Sequence, residues 1–198
     1  MIDANEALQR LQDGNERYLA GEGGAASRQD IAALAAGQSP AAILLGCSDS
    51  RVVPEILFDQ HLGELFVVRV AGNVASPEVM ASIEFAVLRF GSPLLVVMGH
   101  TDCGAVSAAI AELSEPTSDT PRNIKDLLGR MVPAIKSVRP HQDEDGAWMR
   151  QAVRANVAAS LRHLLQSSGP IKEAVGAQTL TVVGAEYNLS TGAVEFLD

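Results

Sequence analysis

Ala41-Ala42-Ile43-Leu44-Leu45-Gly46-Cys47-Ser48-Asp49-Ser50-Arg51 runs from an almost wholly apolar stretch into a thiol, a carboxylate and a guanidinium. Leu94-Leu95-Val96-Val97-Met98-Gly99-His100-Thr101-Asp102-Cys103-Gly104 repeats the plan with an imidazole and a second thiol. Residues 65–71 and 179–184 form two more apolar runs. Unbroken rather than alternating hydrophobicity marks strands covered on both faces, as in a parallel sheet. Helical patterns lie between them. Residues 77–90 have Ser76 as N-cap, Pro77 at the first position, Glu78 in the first turn and Gly91 as a stop. Residues 124–138 contain Pro133, where a kink is expected. The alternation predicts an α/β fold.

Residues 3–19 place Leu8, Leu11, Tyr18 and Leu19 on one stripe, behind Asp3 and Glu6 spaced like a capping box. Nothing in the first 30 residues reads as a strand, so this helix is expected to lack a sheet of its own and to lie across a neighbouring subunit. Residues 114–121 and 141–146 are acidic and rich in Ser, Pro, Asp and Gly, hence loops. Neither divides the chain, which reads as one domain over residues 1–198, with 1–38 a helical dimerisation arm.

At 47% hydrophobic and 20% charged, the 198 residues can bury a substantial core within one domain. The net charge of −9 argues against a nucleic-acid or anionic-membrane partner, both of which reward a basic patch. The start of the chain, with Asp3 and Glu6, lacks a signal peptide's basic and apolar regions, and no apolar run reaches a membrane span. A cytoplasmic location is expected, where thiols stay reduced.

Both clusters sit where an apolar run ends and the chain turns toward a helix. That is the carboxyl edge of a parallel sheet, where open α/β sheets bind their ligands. Cys47, His100 and Cys103 offer two thiolates and an imidazole, a set that zinc favours with a fourth position left for water. The chain has no other cysteine. A redox pair would be Cys-x-x-Cys, and a phosphatase-type loop needs a glycine-rich turn between Cys47 and Arg51. Inert buried thiols remain an alternative from the cysteines alone, and Asp49, Arg51 and His100 weigh against it. If the chain stays extended, Cys47, Asp49 and Arg51 share a face and the two charges pair. Asp102, between two ligands, reads as a solvent-facing or outer carboxylate. His61, His141 and His163 are candidate proton shuttles, although histidines are also common on surfaces. Arg89, Lys125 and Arg130 read as solvated helix charges.

These motifs resemble the signatures of the β-class carbonic anhydrases. Cys47, Asp49 and Arg51 fit the family's Cys-x-Asp-x-Arg, and His100, Cys103 and Gly104 its His-x-x-Cys-Gly. Residues 66–69 through Asn73 are similar to the stretch after its second strand, and 182–184 through Gly192 to its last strand and hairpin. The resemblance covers about residues 30–198. It implies a β-carbonic-anhydrase-like fold: a parallel four-stranded core sheet plus an added edge strand, flanked by helices, with an N-terminal helical arm. It also implies a homodimer or homotetramer whose pocket lies at the dimer interface, lined by Gln38, Phe66, Ala71, Phe85 and Gly104. Phe85 stands where the family has a tyrosine, so a hydroxyl is lost, and Ala105 stands where a second glycine is common. Some members bind bicarbonate at a separate site built from a tryptophan, an arginine and a tyrosine. Arg69 and Tyr187 match two of these positions, Leu44 replaces the tryptophan, and the lone Trp148 lies elsewhere, which implies an open, active form.

The implied activity is zinc-dependent, reversible hydration of carbon dioxide to bicarbonate and a proton by zinc-bound hydroxide. Two thiolates leave the metal less electron-poor than an all-histidine site, so its water should be less acidic. Asp49, paired with Arg51, stays ionised and accepts the hydroxide's hydrogen bond; released, it would ligate zinc instead. Gln38 would steady the developing bicarbonate. Two rivals are another hydrolase on the same scaffold, such as a carbon disulfide hydrolase, and a zinc-dependent regulatory protein without turnover. A structural zinc would have four protein ligands and no need of the Asp49–Arg51 pair, which weighs against the second.

Overall fold

Strands β1 (Ala42–Gly46), β2 (Leu65–Arg69), β3 (Leu94–His100), β4 (Thr181–Tyr187) and β5 (Val194–Leu197) form one sheet in the order β2-β1-β3-β4-β5. The first four are parallel and β5 runs antiparallel to β4, the expected core with its added edge strand. The computed structural model describes residues 2–24, 34–138 and 147–197; the candidate His141 and the loop at 141–146 lie outside them. Every residue of β1 and β3 is buried, as unbroken apolar runs require in central strands. In β2, at the open edge, only Leu65 is buried.

Seven helices are described: α1 (Ala4–Ala20), α2 (Pro54–Leu57), α3 (Pro77–Phe90), α4 (Gly104–Ser114), α5 (Arg122–Ser137), α6 (Ala147–Ser167) and α7 (Gly169–Gly176). The cap signals around α3 hold: Ser76 accepts from the Val79 N–H, and Gly91 ends the helix at φ 63°. α5 runs through Pro133. Strand alternation divides the core between two faces. Leu44, Val96 and Met98 pack with Ala7, Leu11 and Phe58 on one face. Ile43, Leu45, Leu95 and Val97 pack with Ile83, Ala86, Val157 and Leu164 on the other. A third cluster, at the carboxyl edge, gathers Cys47 and Cys103 among Val106, Leu128, Met131, Ile135 and Trp148.

α6 lies close on the sheet because β3 and β4 present glycines beneath it. A β-carbon on Gly99 would come within 2.8 Å of Val157 Cγ2, and one on Gly184 within 3.2 Å of Val157 Cγ1.

The N-terminal helix corrects an expectation, because it does pack on its own chain's sheet. Ala7 and Leu11 are each 1% exposed, in one cluster with Leu44, Leu94 and Val96. The face of α1 is smooth enough to allow this. Asn15, buried, donates to the carbonyls of Leu57 and Gly192, each at 3.0 Å, and accepts from the Val194 N–H at 2.9 Å. Arg17 pairs with Asp59 at 2.6 Å, and Arg10 pairs with Glu64.

A β-carbon on Gly14 would sit 1.8 Å from the Phe58 carbonyl oxygen. Gly14→Ala gains about 1 kcal/mol of helix propensity, yet the obstacle is backbone and cannot rotate away. The overpacking cost, about 1–3 kcal/mol and occasionally more, should win. A fall in the urea midpoint with unchanged slope is the expected result.

Candidate metal centre

Cys47 is the first residue beyond β1, His100 the last of β3, and Cys103 caps the amino end of α4. β1 and β3 are parallel neighbours, so their carboxyl ends deliver the first two side by side. Asp102 closes the gap to the third: it is exposed, as expected, and its φ of 54° turns the chain between His100 and Cys103.

The trio is buried, Cys47 at 5%, His100 at 0% and Cys103 at 1% exposure. Their donor atoms lie within 4.8 Å of one another, and the two sulfurs are 4.0 Å apart. Tetrahedral coordination with metal–sulfur bonds of about 2.3 Å sets two sulfurs roughly 3.8 Å apart. Both cysteines are free thiols, far beyond the 2 Å or so of a disulfide.

His100 supplies a sharper test of fit. Its Nδ1 lies 2.9 Å from the Thr101 carbonyl oxygen, which can only accept, so Nδ1 carries the proton. Nε2 is then a bare acceptor, fully buried and without a hydrogen-bond partner. A buried lone pair of this kind is costly unless something claims it. Facing two sulfurs, it fits a thiophilic metal ion.

The acidities agree. Hydrogen bonding from the Cys103 thiol, opposed by burial and aided by His100 and the N–H groups of Gly72 and Asp49, pulls Cys47 down to about 4. Cys47 and burial push Cys103 up, against the N–H groups of Val106 and Ala105. Burial lowers His100, but the neighbouring Cys47 sulfur and the Thr101 carbonyl outweigh this and raise it. In the metal-free chain the sulfurs thus compete for one proton, which a dication would replace.

Asp49 and Arg51 are paired as expected, by a different backbone. The chain is not extended here: the Val52 N–H donates to the Asp49 carbonyl at 3.0 Å, making a turn. Within it Arg51 donates to Asp49 three times, from its backbone N–H (3.0 Å) and Nε (2.9 Å) to Oδ1 and from Nη2 (2.8 Å) to Oδ2. These bonds, stronger than the opposing effect of burial, hold the Asp49 carboxyl far below the usual carboxylate range. Asp49 Oδ2 lies 3.9 Å from His100 Nε2, beside the trio.

Arg69 braces the same loop. Its Nε donates to the Cys47 carbonyl at 3.0 Å and its Nη2 to the Asp49 carbonyl at 2.7 Å. Leu44 is fully buried, and Tyr187 is buried; burial first, then the neighbouring Tyr18, pushes its pKa up to about 12.

The implied pocket residues are only partly brought to the trio. Ala71 lies in the short 3-10 turn Ala71–Asn73, next to Gly72, whose N–H points at Cys47 Sγ from 3.4 Å. Gly104 begins α4, and a β-carbon there would meet nothing within 4 Å. Phe66 packs with Phe85 and Phe90 at centroid separations of 6.4 and 5.8 Å, on the flank of the open edge, and Phe85 is 56% exposed. Gln38 is exposed and precedes β1, near Gly63 at the amino end of the sheet, so within one chain it lies a strand length, roughly 16 Å, from Cys47. His61 also precedes β2 at that end, and His163 is exposed and bonded to Ser167. The reading of Lys125 as merely solvated is corrected: it donates to the Thr117 carbonyl and lies 3.9 Å from Glu112.

The sequence reading did not single out Gly72, Asn156 or Ser160. Only the alignment of the Ala71–Asn73 turn against α6 reveals them, since a glycine, an asparagine and a serine carry no pattern of their own.

Comparison with known proteins agrees with this geometry. The carbonic anhydrase family profile matches residues 42–194. Carbonic anhydrase 2 of Mycobacterium tuberculosis is 38% identical over 195 residues, covering 97% of this chain and 92% of that protein. The carbonic anhydrase of Mycolicibacterium smegmatis is 40% identical over 196 residues, covering 96% and 91%. Among solved structures, the β-carbonic anhydrase CcaA superposes with a TM-score of 0.77 at 26% identity, covering 98% of this chain and 88% of its own. A tetrameric β-carbonic anhydrase of Sordaria macrospora shares the fold, with a TM-score of 0.74 at 23% identity and coverage of 98% and 97%. With two thiols and an imidazole converging at the carboxyl edge of this sheet, the chain belongs to the β-class carbonic anhydrases.

Proposed function

We propose that this carbonic anhydrase works with zinc held by Cys47, His100 and Cys103, and that Asp49 and Arg51 are its catalytic pair. The observation that carries this reading is the Asp49 carboxylate, doubly bonded to Arg51 and 3.9 Å from the unpartnered His100 Nε2. Zinc, when bound, supplies the Lewis acidity that brings a water's pKa down toward neutrality for attack on carbon dioxide.

Asp49 accepts and cannot donate, because its pKa lies far below neutral pH. It therefore selects a nucleophile that presents a hydrogen and aligns it by that hydrogen. Arg51 occupies both carboxylate oxygens and so holds Asp49 off the trio; a planar fork does this as a lysine could not. Arg69 fixes the carbonyls on either side of Ser48, which keeps the ligand and the acceptor in one frame. Ala71, Phe66 and Phe85 supply apolar surface suited to carbon dioxide. Gln38 serves the site of a second chain, since its own lies at the opposite sheet edge.

Assembly and location belong to the same reading. Phe85 is 56% and Leu88 72% exposed beside the unpaired edge of β2, an apolar surface of the kind that a second copy covers. One structural neighbour is tetrameric by its description. No described helix is long and apolar enough to cross a membrane, and we place the enzyme in the cytoplasm.

Metal analysis of purified protein should give about one zinc per chain, and alanine at Cys47, His100 or Cys103 should remove both metal and carbon dioxide hydration. Full zinc and unchanged turnover in any of the three variants would exclude the assignment.

Activity should climb from neutral into mildly alkaline pH, since two thiolates keep the metal's water above the pKa of roughly 7 of an all-histidine site. Asp49 is ionised throughout, so that climb is not its titration. Its depressed pKa stabilises the fold above pH of about 4 and is lost on further acidification. Arg51→Ala should cut hydration by about 10–100-fold and shift acid unfolding to higher pH. Near-normal rates in Arg51→Ala and Asp49→Ala would refute the pair.

Light scattering should report a dimer or a multiple of dimers. A charge at Phe85 should weaken assembly and, through Gln38, activity together; a fully active monomer would contradict the shared pocket.

A further inference from the structure

We infer that Asn156 and Ser160 of α6 are positioning residues for the metal centre: by holding the carbonyls of Gly72 and Asn73, they aim the Gly72 N–H at the Cys47 sulfur. The inference rests on the metal reading above.

Asn156 and Ser160 are four residues apart, hence on one helix face, and are only 2% and 5% exposed. Asn156 Nδ2 donates to the Gly72 carbonyl at 2.7 Å, and Ser160 Oγ donates to the Asn73 carbonyl at 3.0 Å. Between those anchors the backbone is left-handed, with φ of 70° at Gly72, which glycine adopts freely, and 44° at Asn73. The left-handed conformation of Asn73, which carries a side chain, is held in place by its surroundings. The surroundings here are the two donors from α6 on one side and the Cys47 sulfur, 3.4 Å from the Gly72 nitrogen, on the other. Glycine suits position 72 because of its φ of 70°, and a β-carbon there would also press on Met131 Sδ at 2.5 Å.

The height of α6 is fixed independently by Gly99 and Gly184, which let Val157 down onto the sheet. Asn156, one residue away, is therefore set at a defined distance from the turn. An N–H bonded to a thiolate draws electron density from the sulfur and restricts its direction, the two ways in which outer groups tune a metal ligand.

The test uses the full-length protein loaded with cobalt(II), whose thiolate charge-transfer absorption reports the electron density on sulfur. Asn156→Ala should move this band to longer wavelength and raise the rate of zinc loss to a chelator at least about tenfold. Ser160→Ala should move both in the same direction by less. Ser92→Ala, which removes a buried hydroxyl bonded to the Pro40 carbonyl at the far end of the sheet, should change neither. A band at the wild-type wavelength with wild-type zinc retention in Asn156→Ala overturns the inference, and Ser160→Ala decides in the same way if Asn156→Ala does not fold. Wild-type protein that takes up no cobalt overturns the metal reading itself.

Discussion

The metal centre depends on β1 and β3 being hydrogen-bonded neighbours running the same way. Leu45 pairs with Val97, so the thiol at 47 and the imidazole at 100 emerge from adjacent ladders at the same edge. The adjacency is secured well away from the chemistry, by Leu44 and Val96 on one face and Ile43, Leu45, Leu95 and Val97 on the other, all fully buried. Shifting either strand by one residue would exchange those faces and turn both ligands from their partner. Cys103 then needs only a short turn through a left-handed Asp102 to complete the set.

Around that edge two guanidinium groups divide the work. Arg51 binds the Asp49 side chain from the solvent side, and Arg69, from the end of β2, binds the backbone carbonyls of Cys47 and Asp49. Both use the planar fork of arginine rather than its charge alone. The first decides where a carboxylate may go, and the second decides where the loop that carries it may go.

Much of this was legible in the sequence because it is written in strong local signals. The apolar runs gave the four parallel strands to within a few residues, Ser76 through Gly91 bounded α3, and the residues at and just beyond the ends of two runs included the trio that the structure brings together. Three things were not legible. The pairing of Asp49 with Arg51 was foreseen but not its turn, since alternation of residue types cannot distinguish an extended chain from a side chain capping a neighbouring N–H. The destination of α1 was missed because its contact face is built on Ala7 and Gly14, which have no hydrophobic weight but permit close approach. The Ala71–Asn73 turn and its anchors on α6 were unreadable for the same reason: a hydrogen bond between residues 72 and 156 leaves no period.

The ligands of this centre are also core residues. Cys47 and Cys103 belong to one apolar cluster with Val106, Leu128, Met131, Ile135 and Trp148, contributed by α4, α5 and α6. Three helices therefore close over atoms that prefer a cation to one another. Any ion bound there stabilises the fold by mass action, about 4 kcal/mol when its free concentration is a thousand times its dissociation constant. An ion bound there would make the thermal midpoint a function of metal activity in the surroundings as well as of the chain. Withdrawing such an ion would loosen the architecture as well as the chemistry.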